Sequence, residues 1–411
     1  MSPLPDNCSF PEVFPTSPLP GFNHPIAGTV CFDQTTHTYY VQNGDKWEKV
    51  PKSVSALVSE HFEAFPAGPI ASRMVKGRTW PNSPWRSKFI HQLREAIKNI
   101  PCPTNDRIFH CLQVLASEKL QHGQAIVEAR IGWSNDLYHF LRVMATRERP
   151  DEPGQVQGYP WDPSTIQMWL LEAMHNLADT PCEHMSSYEN LASRGQGGAP
   201  IQDVIIAAVK EMWNANGKEK AASGTAMHRY MELVLNNQPI PENLSEDCTA
   251  QWTAVASKLR HGGWEIMATE VPLRSSTVRA AGTADLLLWS TSPERNAATP
   301  VGYLPIGIAD FKRVLHTTLW ERPSKGKGPC VDIKGHKLGK YTIQLSLYAF
   351  LLENEYVGET FSHNGQKYIG FKVHGLYLVS MHPDQQEGQL VPISYEKKIA
   401  KAILDTAPPL S

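Results

Sequence analysis

"GIADFKRV" (residues 307–314) reads as an apolar strand that ends on an acid, one apolar residue and a lysine. "AAGTADLLLWS" (280–290) has the same character, with Asp285 set before a run of apolar residues. A carboxylate at the end of a buried strand is costly unless it is paired or put to use. Alternation along an extended strand places Asp310 and Lys312 on one face. The two segments are consecutive, joined by the loop "STSPERNAATP" (290–300). As antiparallel neighbours they would bring Asp285 and Asp310 within a few ångströms of each other.

Two carboxylates so placed form a hard-oxygen site suited to Mg²⁺ or Mn²⁺. The Lys312 ammonium beside them could orient an attacking water or hold a phosphate, and the Phe311 carbonyl between them could complete the coordination. His228 and Glu232 stand four residues apart and so share a helix face, with Gly224 and Thr225 reading as the N-cap. Gln344 and Tyr348 repeat that spacing on a later helix, and Glu270 adds an acid on the strand-like "WEIMATEVPLR" (264–274). Taken singly, each has an ordinary structural reading. Asp310 and Lys312 could be a strand-end salt bridge, Asp285 a turn residue after glycine, His228 a core histidine. Gln344 and Tyr348 could pack on a sheet, and Glu232 and Glu270 could face solvent. Taken together, in this order and on these elements, they point to metal-assisted hydrolysis.

The 411-residue chain has room for two or three structural units. No stretch approaches the roughly 18 to 20 apolar residues that span a bilayer. The N-terminal "MSPLPDNCSFPEVFPTSPLPGF" lacks a basic region followed by an apolar one, so an intracellular soluble protein without membrane contact is expected. Seven cysteines form no CxxC pair and read as reduced thiols. Cys102, His110, Cys111 and His122 match no zinc spacing. The net charge of −2 gives no sign of a polyanionic partner, yet residues 312–340 hold eight Lys or Arg against two acids. That makes Arg313, Lys325, Lys327, Lys334, Lys337 and Lys340 a candidate DNA-binding, phosphate-tracking surface.

Residues 1–27 are proline-rich and read as an extended arm. Residues 28–82 hold a hairpin about an Asn43–Gly44 turn, then a helix with Val54, Leu57, Val58 and Phe62 on one face. Residues 83–204 read as helical, with Ser83–Pro84 and Asp162–Pro163 as helix starts and a glycine-rich break at 193–200. Its tryptophans, Trp80, Trp85, Trp133, Trp161 and Trp169, are either core or a stacking surface for bases. From 205 to 411 the pattern is helices, three strands, a helix and a strand: an α/β unit with a central sheet flanked by helices.

The succession "GTAMHRYME" (224–232), "GTADLLLW" (282–289), "IADFK" (308–312) and "QLSLY" (344–348) resembles the PD-(D/E)xK nuclease superfamily. It follows the RecB-type branch, with its GTxxH, GxxD, DxK and QxxxY motifs, and is similar to nucleases of large DNA viruses and some eukaryotic genomes. The resemblance implies a restriction-endonuclease-like core, with a mixed central sheet flanked by helices, carrying a large helical N-terminal or inserted region. It implies that His228, Asp285 and Asp310 ligate Mg²⁺ or Mn²⁺ and that Lys312 is the catalytic lysine. Gln344 and Tyr348 would organise the site and contact DNA, while Glu270 falls where many members hold an acid. The activity implied is hydrolysis of DNA, as an exonuclease on single-stranded or resected duplex ends, in repair or recombination. Some RecB-type enzymes hold an iron–sulfur cluster through cysteines after the QxxxY helix; none follows Cys330 here, so no iron–sulfur cluster is expected. The alternative is a catalytically silent nuclease fold acting as a DNA-binding accessory protein, with protein partners unassigned.

Overall fold

The structure is a computed structural model that describes residues 18–33, 35–75, 198–244, 248–275, 280–315, 326–333 and 336–407, with short stretches at 8–9, 83–85, 88, 148–149 and 152–156. The chain divides into two compact units, residues 1–64 with 221–411, and residues 65–220. Residues 52–60 join the C-terminal half through a strand pairing and a packed helix.

In the larger unit a four-stranded antiparallel sheet is formed by β1 (Cys8–Ser9), β2 (Val30–Asp33), β3 (Thr38–Asn43) and β4 (Lys46–Lys49), in that order. Asn43 pairs with Lys46, so the turn residues are Gly44 and Asp45, one position later than the expected Asn43–Gly44. Gly44 has φ +58°, the conformation the first position of such a two-residue turn demands of glycine. Two residues of β5 (Lys52–Ser53) follow, and the Ser53 hydroxyl caps α1 (Val54–Glu60) by accepting from the Ala56 N–H. Phe22 and His24, in the segment expected to be an extended arm, are buried among Tyr356, Phe361 and Phe371.

The sequence predicts two helices either side of residue 220, the second capped by Gly224–Thr225. The structure has one, α2 (Gly198–Leu235), of which residues 221–235 belong to this unit. The Thr225 hydroxyl donates to the Ala221 carbonyl at 3.1 Å, bonding back into the helix instead of capping a new one. Next come α3 (Thr249–His261) and three long strands, β6 (Trp264–Arg274), β7 (Ala280–Ser290) and β8 (Tyr303–Arg313). Helix α4 (His336–Asn354) returns the chain past a short hairpin, β9 (Phe361–His363) and β10 (Gln366–Tyr368), to β11 (Gly370–Met381). Strand β12 (Gln389–Ile393) and α5 (Lys397–Thr406) complete the unit.

The main sheet is mixed. Its order is β12-β11-β8-β7-β6, with the two residues of β5 paired to Ala280 and Ala281 of β7 on the edge opposite β6. Strands β6, β7 and β8 are antiparallel neighbours, whereas β8 and β11 run parallel across the α4 crossover. Helices cover both faces: Ile343, Leu347 and Leu351 of α4, with Val54 and Ile403, pack on Ile306 and Ile308. Met227, Met231 and Val255 of α2 and α3 pack with Leu286, Leu288 and Phe311 on the opposite face. Burial from both sides explains why β7 and β8 read as almost uninterrupted apolar runs.

In the smaller unit, Ala67–Val75 is helical and Glu148–Arg149 pairs with Glu152–Val156. The Ser83 hydroxyl accepts from the Trp85 N–H at 3.3 Å, and Trp85 and Phe65 meet the Trp213 ring edge-on. The helix start at Asp162–Pro163, the Cys102, His110, Cys111 and His122 set, and Trp80, Trp133, Trp161 and Trp169 lie outside the described residues. Among the described residues no helix is long and apolar enough to cross a membrane, and Cys31, Cys248 and Cys330 are buried and in no disulfide.

Candidate metal centre

Strand register assembles the acids. Thr269 pairs with Leu286 and Val271 with Ala284, so Glu270 faces Asp285 across the β6–β7 ladder. On the other edge the β7–β8 ladder runs from Trp289–Ile306 to Leu286–Ala309 and stops. Asp285 and Asp310 are the first residues past its end, where β8 continues along β11 as far as Arg313. The sheet forks there, and three carboxylates from three adjacent strands line the fork.

Two local features shape the acidic row. The Phe311 N–H, which would otherwise seek a β7 carbonyl, donates to Asp285 Oδ2 at 2.7 Å. Glu270 has φ +46°, a left-handed conformation that costs a non-glycine residue of order 1 kcal/mol or more and takes it out of regular strand pairing.

His228 enters from α2. Its Nε2 lies 3.0 Å from the Phe311 carbonyl oxygen, which can only accept, so Nε2 carries the proton. The other nitrogen, Nδ1, faces Asp285 Oδ2 at 3.5 Å and Glu270 Oε1 at 4.0 Å. His228, Glu270 and Asp285 thus each present a ligand atom within 4.8 Å of one another, a group that could hold a metal ion. A histidine tautomer set by a backbone carbonyl is the usual support of a metal-ligating imidazole.

On the α4 side of the fork, Lys312 forms an ion pair with the buried Asp310 and lies over the Tyr341 ring, 4.6 Å from its centre. Gln344 Nε2 donates to the Tyr348 hydroxyl at 3.2 Å. Tyr348 is buried against Gly282, where a Cβ would come within 2.8 Å of its ring. Glycine at 282 is what lets the phenol lie so close to β7.

The centre is electrostatically crowded. Burial raises Glu270 well above the usual carboxylate range, reinforced by Asp285, Glu232 and Asp310 and opposed by Arg229. Asp285 is pushed up to about 6, by burial and by Asp310, against the pull of His228, Lys312 and the Phe311 N–H. Burial would lower the Lys312 ammonium, but Asp310 and Asp285 more than offset it and hold its pKa above the ordinary lysine value. Crowded carboxylates beside an imidazole nitrogen are a donor set that a divalent cation would relieve, so the residues present fit such an ion.

Of the residues singled out in the sequence, His228, Asp285, Asp310, Lys312 and the Phe311 carbonyl meet at the fork. The carbonyl is engaged by His228. Glu232 pairs with Arg229 at 2.6 Å, one helical turn from His228. Glu270, the least assigned of the acids from sequence, belongs to the ligand group itself. Among the basic residues, Arg313 donates to His382 Nε2 at 3.1 Å, Lys340 lies over the Phe62 ring, and Lys327 and Lys337 are exposed. Lys325 and Lys334 lie outside the described residues.

In comparisons with known proteins, no family model matches the chain and no curated protein matches it.

Proposed function

We propose that this chain is a metal-dependent nuclease of the PD-(D/E)xK type, with a restriction-endonuclease-like core, that hydrolyses phosphodiester bonds in DNA. The observation that carries the reading is the row Glu270, Asp285 and Asp310 across three strands, flanked by His228 Nδ1 on one side and Lys312 on the other. His228, Glu270 and Asp285 would hold Mg²⁺ or Mn²⁺, with Asp310 completing the acidic wall. Such an ion supplies positive charge at the scissile phosphate and acidifies an attacking water.

Lys312 is held protonated by its carboxylate neighbours, so its role is that of a donor that orients the water or a phosphate oxygen, not that of a proton acceptor. Tyr348 and Gln344 form a polar wall on the α4 side, and exposed Lys327 and Lys337 suit contacts with a phosphate backbone. An exonuclease on single-stranded or resected ends is the form proposed.

The test is incubation of end-labelled single-stranded, duplex and circular DNA with the purified protein in Mg²⁺, Mn²⁺ or EDTA, beside Asp310→Asn. Cleavage that needs metal and disappears in the variant supports the reading, and sparing of circles makes it an exonuclease. DNA binding without cleavage under every condition would replace it with a silent DNA-binding accessory role.

A further inference from the structure

We infer that Tyr39, from the N-terminal sheet, is a further substrate-contacting residue of this centre, its phenol hydroxyl donating to a non-bridging oxygen of the bound phosphodiester. The inference rests on the nuclease reading and extends it to a residue outside the four motif segments.

Tyr39 is firmly placed. Its carbonyl accepts from the Val50 N–H at 2.8 Å, and its ring lies 4.6 Å from that of Phe32. The hydroxyl is 2.9 Å from Thr283 Oγ1. Thr283 stands two residues before Asp285 on β7, so the two side chains leave the strand on the same side of the pleat, about 6.5 Å apart along it. The phenol is therefore directed to the edge of the acidic row by a hydroxyl from the same strand that supplies its central carboxylate.

Either hydroxyl can donate within the pair, and one of the two arrangements allows donation into the centre. Each hydroxyl has one hydrogen. With Thr283 donating to Tyr39, the phenol hydrogen is left for a ligand. Of the other donors at the fork, the His228 Nε2–H is taken by the Phe311 carbonyl, and Lys312 gives part of its three hydrogens to Asp310. A phosphodiester entering a row of carboxylates needs donors, and a neutral phenol supplies one that keeps its proton. Burial, and to a lesser degree the charges of Glu270 and Asp285, push the Tyr39 hydroxyl up to about 12.

The experiment compares full-length wild type, Tyr39→Phe and Thr283→Val on a labelled oligonucleotide with Mn²⁺. The substrate carries either an ordinary linkage or one phosphorothioate diastereomer at the cleaved position. Melting temperature and Mn²⁺ affinity by calorimetry are measured alongside. Tyr39→Phe is expected to lower the rate at saturating substrate about 10- to 100-fold, as loss of a hydrogen bond to a charged group does. Melting and Mn²⁺ binding should stay at wild-type values. One phosphorothioate diastereomer should slow the wild type yet slow Tyr39→Phe no further, and Thr283→Val should give an intermediate loss. A Tyr39→Phe protein that cleaves at the wild-type rate, or whose loss follows weakened folding or Mn²⁺ binding, overturns the inference and leaves the nuclease reading standing. An inactive wild type removes both.

Discussion

The Phe311 carbonyl accepts a hydrogen bond from His228 Nε2 at 3.0 Å, and this contact decides which nitrogen of the imidazole faces the carboxylates. It joins α2 to the end of β8, so helix and strand fix the ligand together. His228→Ala should lower Mn²⁺ affinity by at least about 10- to 100-fold, since that is the loss typical of removing even an outer partner of a metal ligand. Calorimetric titration of Mn²⁺ into both proteins measures it directly. An unchanged affinity would place the ion elsewhere.

Glu270 and Asp285 face each other on adjacent strands, Glu270 raised above its ordinary range by burial and then by the Asp285 charge, Asp285 by burial and then by Asp310. Opposed like charges destabilise a sheet by a few tenths to 1 kcal/mol, so Glu270→Gln should stabilise the metal-free protein by roughly that amount. The same change removes a ligand, and the rise in melting temperature that Mn²⁺ gives the wild type should shrink or vanish. Thermal unfolding with and without Mn²⁺ reads both effects. A variant less stable than wild type without metal, yet still stabilised by it, would show that Glu270 serves the strand and not the ion.

Much of this arrangement is legible in the sequence, for physical reasons that differ by element. The apolar runs of β7 and β8 stand out because helices bury both faces, and acids in or beside such runs are conspicuous. Glu270 is less legible: its positive φ breaks the alternation from which a side chain's face is read. Strand β5 is two residues long and gains its identity only by pairing with Ala280 and Ala281, far along the chain.

Helix α2 shows the opposite failure, in which a local signal is present and misleading. Gly224–Thr225 has the composition of an N-cap, yet the surrounding residues are helix formers and the chain continues through it. Cβ atoms added at Gly217 or Gly224 would meet nothing within 4 Å. Gly217→Ala and Gly224→Ala should therefore each stabilise the protein by roughly 0.5–1 kcal/mol, the helix-interior difference between the two residues. Urea unfolding of the two variants provides the measurement. Destabilisation at Gly224 would mean that the helix breaks there after all.

Glu353 makes a joint of a different kind. Its Oε1 accepts from Lys372 Nζ at 2.9 Å and from the Val373 N–H at 3.1 Å, and its Oε2 accepts from Lys397 Nζ at 2.8 Å and the Tyr395 hydroxyl at 3.2 Å. One buried carboxylate thereby ties the end of α4 to β11 and to the start of α5. Burial alone would raise its pKa, but Lys397, Lys372 and the Val373 N–H outweigh that and hold it below the ordinary glutamate value. The unfolded chain then binds the proton more tightly than the folded one, so the stabilisation is complete above the ordinary pKa of about 4.5 and is lost as pH falls below it. Glu353→Gln should cost about 1.5–3 kcal/mol at pH 7, the range for hydrogen bonds to a charged group. As pH falls towards 3, from the ordinary glutamate pKa towards the lowered folded one, the gap between the two proteins should narrow. Urea unfolding at both pH values decides the matter: a gap of equal size at each would show that shape and packing at Glu353, and not its charge, hold α5 to the sheet.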